Sequence, residues 1–181
     1  MIYEGKTLTL KDGCECVLRA PRAEDAEEMH RFITAISGET HFIMRTPEEC
    51  TETVEKETKF LEGTLSSPAC MMIIAQVDGE IAGNCQINFK TRVKDKHRAS
   101  LGIGLYQKYW GLGVGTALMN ELIAAARARG VMQLELQHIE GNVRARALYE
   151  KVGFRVVAEI PNAIRLPDGT LLKEYWMVKE L

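Results

Sequence analysis

The chain has no apolar run approaching the roughly 20 residues that a bilayer span requires, so no membrane segment is expected. Its N-terminus, Met1-Ile2-Tyr3-Glu4-Gly5-Lys6, lacks the basic and then apolar layout of a signal peptide, which makes a cytoplasmic location the expectation. No internal repeat, low-complexity tract or Pro/Ser-rich linker interrupts it, and a single domain over residues 1–181 is expected. Metal-binding spacing is missing too. The five cysteines, Cys14, Cys16, Cys50, Cys70 and Cys85, are odd in number and irregularly placed. Cys14 and Cys16 form a C-x-C, but no second cysteine or histidine pair sits at zinc spacing, so the expectation is unbridged thiols and no metal. Basic and aromatic residues do not alternate on one face, which argues against a nucleic-acid footprint.

What is present is an ordinary globular composition, 46% apolar and 27% charged, with an uneven charge distribution. From Glu24 to Glu62 eleven acidic residues face four basic ones, a balance of −7. From Lys90 to Leu181 fifteen basic residues face nine acidic ones, a balance of +6. The basic half suits a polyanionic ligand, and the acidic segment weakly favours a cationic second substrate. Both stretches also read as solvated helix surfaces.

Periodicity predicts a mixed α and β chain in the order β-α-α-β-β-β-α-β-α-β-β. Thr7–Leu10 and Cys16–Arg19 flank a hairpin turn, Lys11-Asp12-Gly13. Helices are expected from about Glu24 to Ile36, and from Thr46-Pro47-Glu48-Glu49, which has the form of a capping box, to about Leu61. Cys70–Val77, Glu80–Phe89 and Ala99–Tyr106 read as strands, Val114 onward as a helix closed by Gly130, and Val131–His138 as a strand. A short helix capped by Asn142 precedes the last strands, Phe154–Ile160 and Leu172–Val178. A loop containing Pro161, Pro167 and Asp168-Gly169 joins those two strands.

Two segments carry chemistry. In the first, Tyr109-Trp110-Gly111-Leu112-Gly113-Val114-Gly115-Thr116, three glycines open a helix. Glycine permits positive φ and close approach, and the helix start offers unpaired N–H groups and the positive end of its dipole, so the loop suits a phosphate. Gly111 and Gly113 fit the dinucleotide pattern G-x-G-x-x-G, but Thr116 stands where its third glycine belongs, and no Gly-Lys-Ser/Thr follows. The second segment is Asn142-Val143-Arg144-Ala145-Arg146-Ala147-Leu148-Tyr149-Glu150-Lys151-Val152-Gly153-Phe154. It resembles the asparagine-to-Gly-Phe motif of the GNAT superfamily of N-acetyltransferases. In that family the glycine loop reads Q/R-x-x-G-x-G/A, and here Trp110 takes the place of the Gln or Arg. The resemblance extends from about Val17 to Val178.

The resemblance implies an α/β fold with a central, mostly antiparallel twisted sheet of six to seven strands, one splayed parallel pair and about four flanking helices. It implies acetyl-CoA as co-substrate. The pyrophosphate would rest on the loop Trp110, Gly111, Leu112, Gly113, Val114, Gly115 and Thr116, chiefly on N–H groups from Leu112 to Thr116. The pantetheine arm would pair with Ile103, Gly104 and Leu105 like an added strand, and contacts would continue to Asn142, Ala145 and Tyr149. Asn142 can be helix cap and ligand at once. Tyr149 would protonate the departing thiolate, although its ring equally suits core packing.

The general base is open. Several members carry a glutamate five residues before the motif asparagine, where this chain has Gln137. Glu135 lies two residues earlier on the same strand face. His138, near the splay, offers a neutral imidazole or a packed ring. Glu140 and His97 are further candidates, and ordered water is another route. The expected activity is acetylation of a primary amine, carried by a small molecule, an amino-acid derivative or a peptide N-terminus, by direct attack in a ternary complex. The helical segment Glu24–Leu61 and the loop Pro161–Thr170 would wall the acceptor site. A non-catalytic acyl-CoA-binding sensor is the alternative. A homodimer is common in the family, though no residue here points to one.

Overall fold

The computed structural model describes residues 2–181. An N-terminal hairpin, β1 (Lys6–Thr9) and β2 (Glu15–Arg19), turns at Lys11-Asp12-Gly13. Two helices follow, α1 (Ala26–Glu39) and α2 (Val54–Ser66). Strands β3 (Cys70–Val77) and β4 (Glu80–Phe89) meet at Asp78-Gly79, with φ of 49° and 82°, the positive values a two-residue hairpin demands. Then come β5 (Arg98–Leu105), α3 (Val114–Ala128), β6 (Gln133–Ile139), α4 (Val143–Lys151), β7 (Arg155–Arg165) and β8 (Leu171–Glu180).

All eight strands form one sheet in the order β1-β2-β3-β4-β5-β6-β8-β7, one or two more than expected because the N-terminal hairpin joins through β2 and β3. Every neighbouring pair is antiparallel except β5 and β6. Helices cover both faces. That is why β3 reads as a continuous apolar run: Met71, Ile73, Ala75 and Val77 point to the α3 side, Met72 and Ile74 to the α1–α2 side. Leu118 and Leu122 of α3 pack with Ile87 and Leu134, while Met29, Phe32 and Ile36 of α1 pack with Leu61 and Ile81.

Two local expectations need correction. The Thr46 signature forms its reciprocal contact, Thr46 N donating to Glu49 Oε2 at 2.9 Å, but closes only a single 3-10 turn, Pro47–Glu49. Cys50 is buried, its sulfur 3.8 Å from Ser37 Oγ on α1, and the chain leaves helical geometry there. The helix starts afresh at Thr53, whose Oγ1 accepts from Lys56 N at 3.4 Å. The first half of the expected loop from Pro161 to Thr170 is strand, with the turn confined to residues 166–170. Pro161 is tolerated because β7 is the outermost strand and its register slips between Ile160 and Ile164, where Asn162 has a φ of 55°.

Among the described residues the five cysteines form no disulfide, no cluster of metal-ligating side chains occurs, and no helix is long and apolar enough to cross a membrane.

Candidate active site

The site is created where a ladder stops. β5 and β6 pair over only three rungs, Arg98–Gln133, Ala99–Leu134 and Ser100–Glu135, although β5 continues to Leu105 and β6 to Ile139. Beyond those rungs the strands part. A cleft of about 480 Å³ fills the gap, reaching from Leu101–Leu105 on β5 to Gln137 and His138 on β6, and from the glycine loop and α4 to the end of α1.

Backbone conformation explains the glycine loop. Gly111 and Gly113 have φ of 80° and 107°, a region side-chain-bearing residues rarely adopt. Gly115 serves packing instead, because a Cβ there would lie 3.0 Å from Leu148 Cδ2; its hydrogen lets α3 approach α4. The first intrahelical bond of α3 runs from Ala117 N to the Gly113 carbonyl at 3.0 Å, leaving the N–H groups of Val114, Gly115 and Thr116 without a helical acceptor. No acidic residue sits in the first turn to neutralise the dipole. Trp110 braces the loop, its Nε1 donating to the Leu105 carbonyl at 3.2 Å, and Arg144 lies over its ring at 5.5 Å. Lys11 of the N-terminal hairpin donates its backbone N–H to the Leu112 carbonyl at 3.1 Å.

α4 supplies the other wall. Asn142 caps it, Oδ1 accepting from Ala145 N at 3.1 Å, which leaves the side-chain NH₂ to donate. Tyr149 is 6% exposed, and burial alone pushes its phenol up to about 12. His138, also buried, stacks on Tyr175 with ring centroids 5.0 Å apart, and lies 6.3 Å from the Tyr149 ring. Its Nδ1 is 3.2 Å from the Ile139 carbonyl. A carbonyl can only accept, so that contact assigns the proton to Nδ1 and leaves the lone pair on Nε2. Nε2 is buried with no partner in the protein.

The cleft gathers Ile103, Gly104, Leu105, Trp110, Gly111, Gly113, Gly115, Thr116, His138, Asn142, Ala145 and Tyr149. Leu112 and Val114 face elsewhere: Val114 is fully buried in the core, and Leu112 lines a smaller adjoining hollow. Glu135 is not brought to the cleft. It lies on the last closed rung, ion-paired with Arg98 and accepting from Gln133 Nε2 at 3.0 Å. Burial raises its carboxyl, but Arg98 and Gln133 outweigh that and hold it below the ordinary range. Glu140 accepts from Lys173 N at 3.0 Å, and the His97 carbonyl accepts from Met132 N at 2.8 Å at the far end of the seam. Ile36, Thr40, Phe42 and Ile43 line the cleft from within the expected wall Glu24–Leu61, whereas no residue of the other expected wall, Pro161–Thr170, lines it; sequence reasoning missed Lys11, Arg144 and Lys151. Arg144 alone had a local signal, two residues past the Asn142 cap; the others arrive through tertiary packing.

A family model described as the acetyltransferase (GNAT) family matches residues 33–154. The L-amino acid N-acetyltransferase AaaT of Escherichia coli (strain K12) is 27% identical over 113 residues, 62% of this chain and 69% of its own length. A GNAT-family acetyltransferase structure from Streptococcus pneumoniae superimposes with a TM-score of 0.86 at 29% identity, covering 92% of this chain and 99% of that one. The yncA protein of Salmonella typhimurium, solved with acetyl-CoA, shares the fold with a TM-score of 0.78 at 17% identity, over 92% of this chain and 94% of its own. The chain belongs to the GNAT family and is an acetyl-CoA-dependent acetyltransferase.

Proposed function

We propose that the protein transfers the acetyl group to a primary amine by direct attack within a ternary complex. The observation that carries this reading is the convergence of an anion-ready helix start with two buried groups of complementary proton chemistry, Tyr149 and His138, in one cleft.

The residues fit the co-substrate. Uncompensated N–H groups from Val114 to Thr116 suit the pyrophosphate, and Lys11, Arg144 and Lys151 line the same end of the cleft. The β6-facing edge of β5 offers backbone groups to the pantetheine arm. The Leu105 carbonyl already accepts from Trp110, so that role falls chiefly on Ile103 and Gly104. The Asn142 NH₂ would donate to the same arm, with Ala145 beside it. Bound there, acetyl-CoA supplies an activated acetyl thioester.

The acceptor nitrogen attacks the thioester carbon with its lone pair. A C–N bond forms, the C–S bond breaks and the sulfur leaves with the electron pair. Tyr149 donates its phenolic proton to that sulfur; burial raises phenol and thiol alike, which keeps the transfer from running steeply uphill. His138 Nε2 accepts the proton shed by the nitrogen and gives it up to solvent, which returns a proton to Tyr149. Holding both reactants in one cleft contributes much of the rate. The acceptor is a small amine, an amino-acid derivative or a peptide N-terminus. The protein is read as one cytoplasmic domain over residues 1–181.

Release of CoA measured over a panel of amines tests this. Tyr149→Phe and His138→Gln should each lower kcat by about 10²-fold or more while leaving CoA affinity within a few-fold. CoA binding without turnover of any amine would instead make the chain an acyl-CoA-binding sensor.

A further inference from the structure

The acceptor side of the cleft carries no charge. Residues 36–43 roof the gap between β5 and β6 on the face opposite α3 and α4. One end rests on β5, where a Cβ at Gly104 would meet Ile36 Cδ1 at 2.9 Å. The other reaches past β6, where a Cβ at Gly141 would lie 3.7 Å from the Phe42 ring. Between these anchors Ile36, Phe42 and Ile43 turn apolar surface into the cleft. Thr40 shares the roof, but its Oγ1 already accepts from Phe42 N at 3.0 Å. Gln137 adds a neutral amide from β6.

The charged liners are Lys11, Arg144 and Lys151, all grouped with the glycine loop; among the described residues no Asp or Glu lines the cleft. Acids of the −7 segment are engaged elsewhere. Asp25 pairs with Arg19, Glu28 accepts from Ile81 N at 2.7 Å, and Glu39 accepts from Gln107 N at 2.8 Å. None of these three carboxylates lines the cleft.

We infer that the acceptor is a primary amine borne on an uncharged apolar body, an arylalkyl or alkyl amine, and neither a polyamine nor a free amino acid; this rests on the acetyl-transfer reading above. A second ammonium, or a carboxylate, would be desolvated against Phe42 and Ile36 with no counter-ion. The apolar roof also acts on the reacting nitrogen. An adjacent carboxylate would hold it as an ammonium, which has no lone pair to attack with. A low-dielectric wall lowers an amine's pKa and favours the neutral nucleophile. The roof thereby does part of the work of a base, in a chain with Gln137 where several members of the family carry glutamate.

Initial rates of CoA release with acetyl-CoA and phenethylamine, putrescine or L-phenylalanine test the inference. The value of kcat/KM for phenethylamine should exceed both others at least tenfold. Phe42→Asp should reverse the order of phenethylamine and putrescine by giving a second ammonium its counter-ion. A wild-type preference for putrescine or L-phenylalanine, or an unchanged ratio in Phe42→Asp, would overturn this inference alone. Bound CoA with no turnover of any of the three, but turnover of a peptide N-terminus, would overturn this inference and keep the acetyl-transfer reading; no turnover across the whole amine panel would remove both.

Discussion

Tyr149 shows how far a single position departs from its ordinary chemistry. Burial lifts its phenol from 10 to about 12, so the native chain keeps it neutral where the unfolded chain ionises it. The stabilisation is complete below about pH 10 and is lost as the pH rises toward 12. Thermal unfolding of wild type should therefore show a Tm that falls across that window, and Tyr149→Phe should flatten part of the fall. An equally steep fall in the variant would remove the assignment. At this scale the sequence was most readable where geometry needs one residue type. Gly113 must be glycine at a φ of 107°, and Asn142 must accept from Ala145 N. It was least readable for side chains whose use depends on a distant partner. Glu135 had the right face but the wrong neighbour, because Arg98, two residues before its rung partner Ser100, reaches across the seam to pair with it.

Element boundaries followed local signals until tertiary contacts competed with them. The Thr46 capping box is real yet yields one turn, since burying Cys50 against α1 outweighs continuing the helix. The Pro161 segment reads as loop in isolation, but an outer strand with a bulge accommodates it. The join between β2 and α1 was not legible, because it depends on two side chains meeting. Arg19 grips Asp25 through both guanidinium nitrogens at 2.7 Å, and Asp25 also accepts from Arg22 N at 2.6 Å. Burial pushes this carboxyl up, but those bonds win and hold it below its usual range. Its stabilisation is present above the ordinary carboxylate pKa and is lost as the pH falls through the lower native value. Asp25→Asn leaves Arg19 half-buried without its counter-ion and should cost about 3 kcal/mol in urea unfolding at pH 7. The difference from wild type should shrink toward pH 3.

For the whole molecule, the mixed class and the order of elements along the chain followed from periodicity, and the mostly antiparallel sheet with one splayed parallel pair from the family resemblance. The resemblance placed a wall of the acceptor cleft within Glu24–Leu61, but not the residues that form it, since nothing local in His41-Phe42-Ile43 ties them to Gly141 some hundred positions away.

The three rungs between β5 and β6 have a consequence for how the molecule breathes. With the bonds from Met132 N and Gln133 N to the His97 carbonyl at their closed end, they are the seam that joins a five-stranded plate, β1 to β5, to a three-stranded plate, β6 to β8. Amides in residues 101–105 and 136–139 that point into the gap should exchange with deuterium faster than those in the flanking ladders. A CoA molecule laid across the gap would act as a removable fourth rung, and its binding should slow exchange along both lips of the seam together.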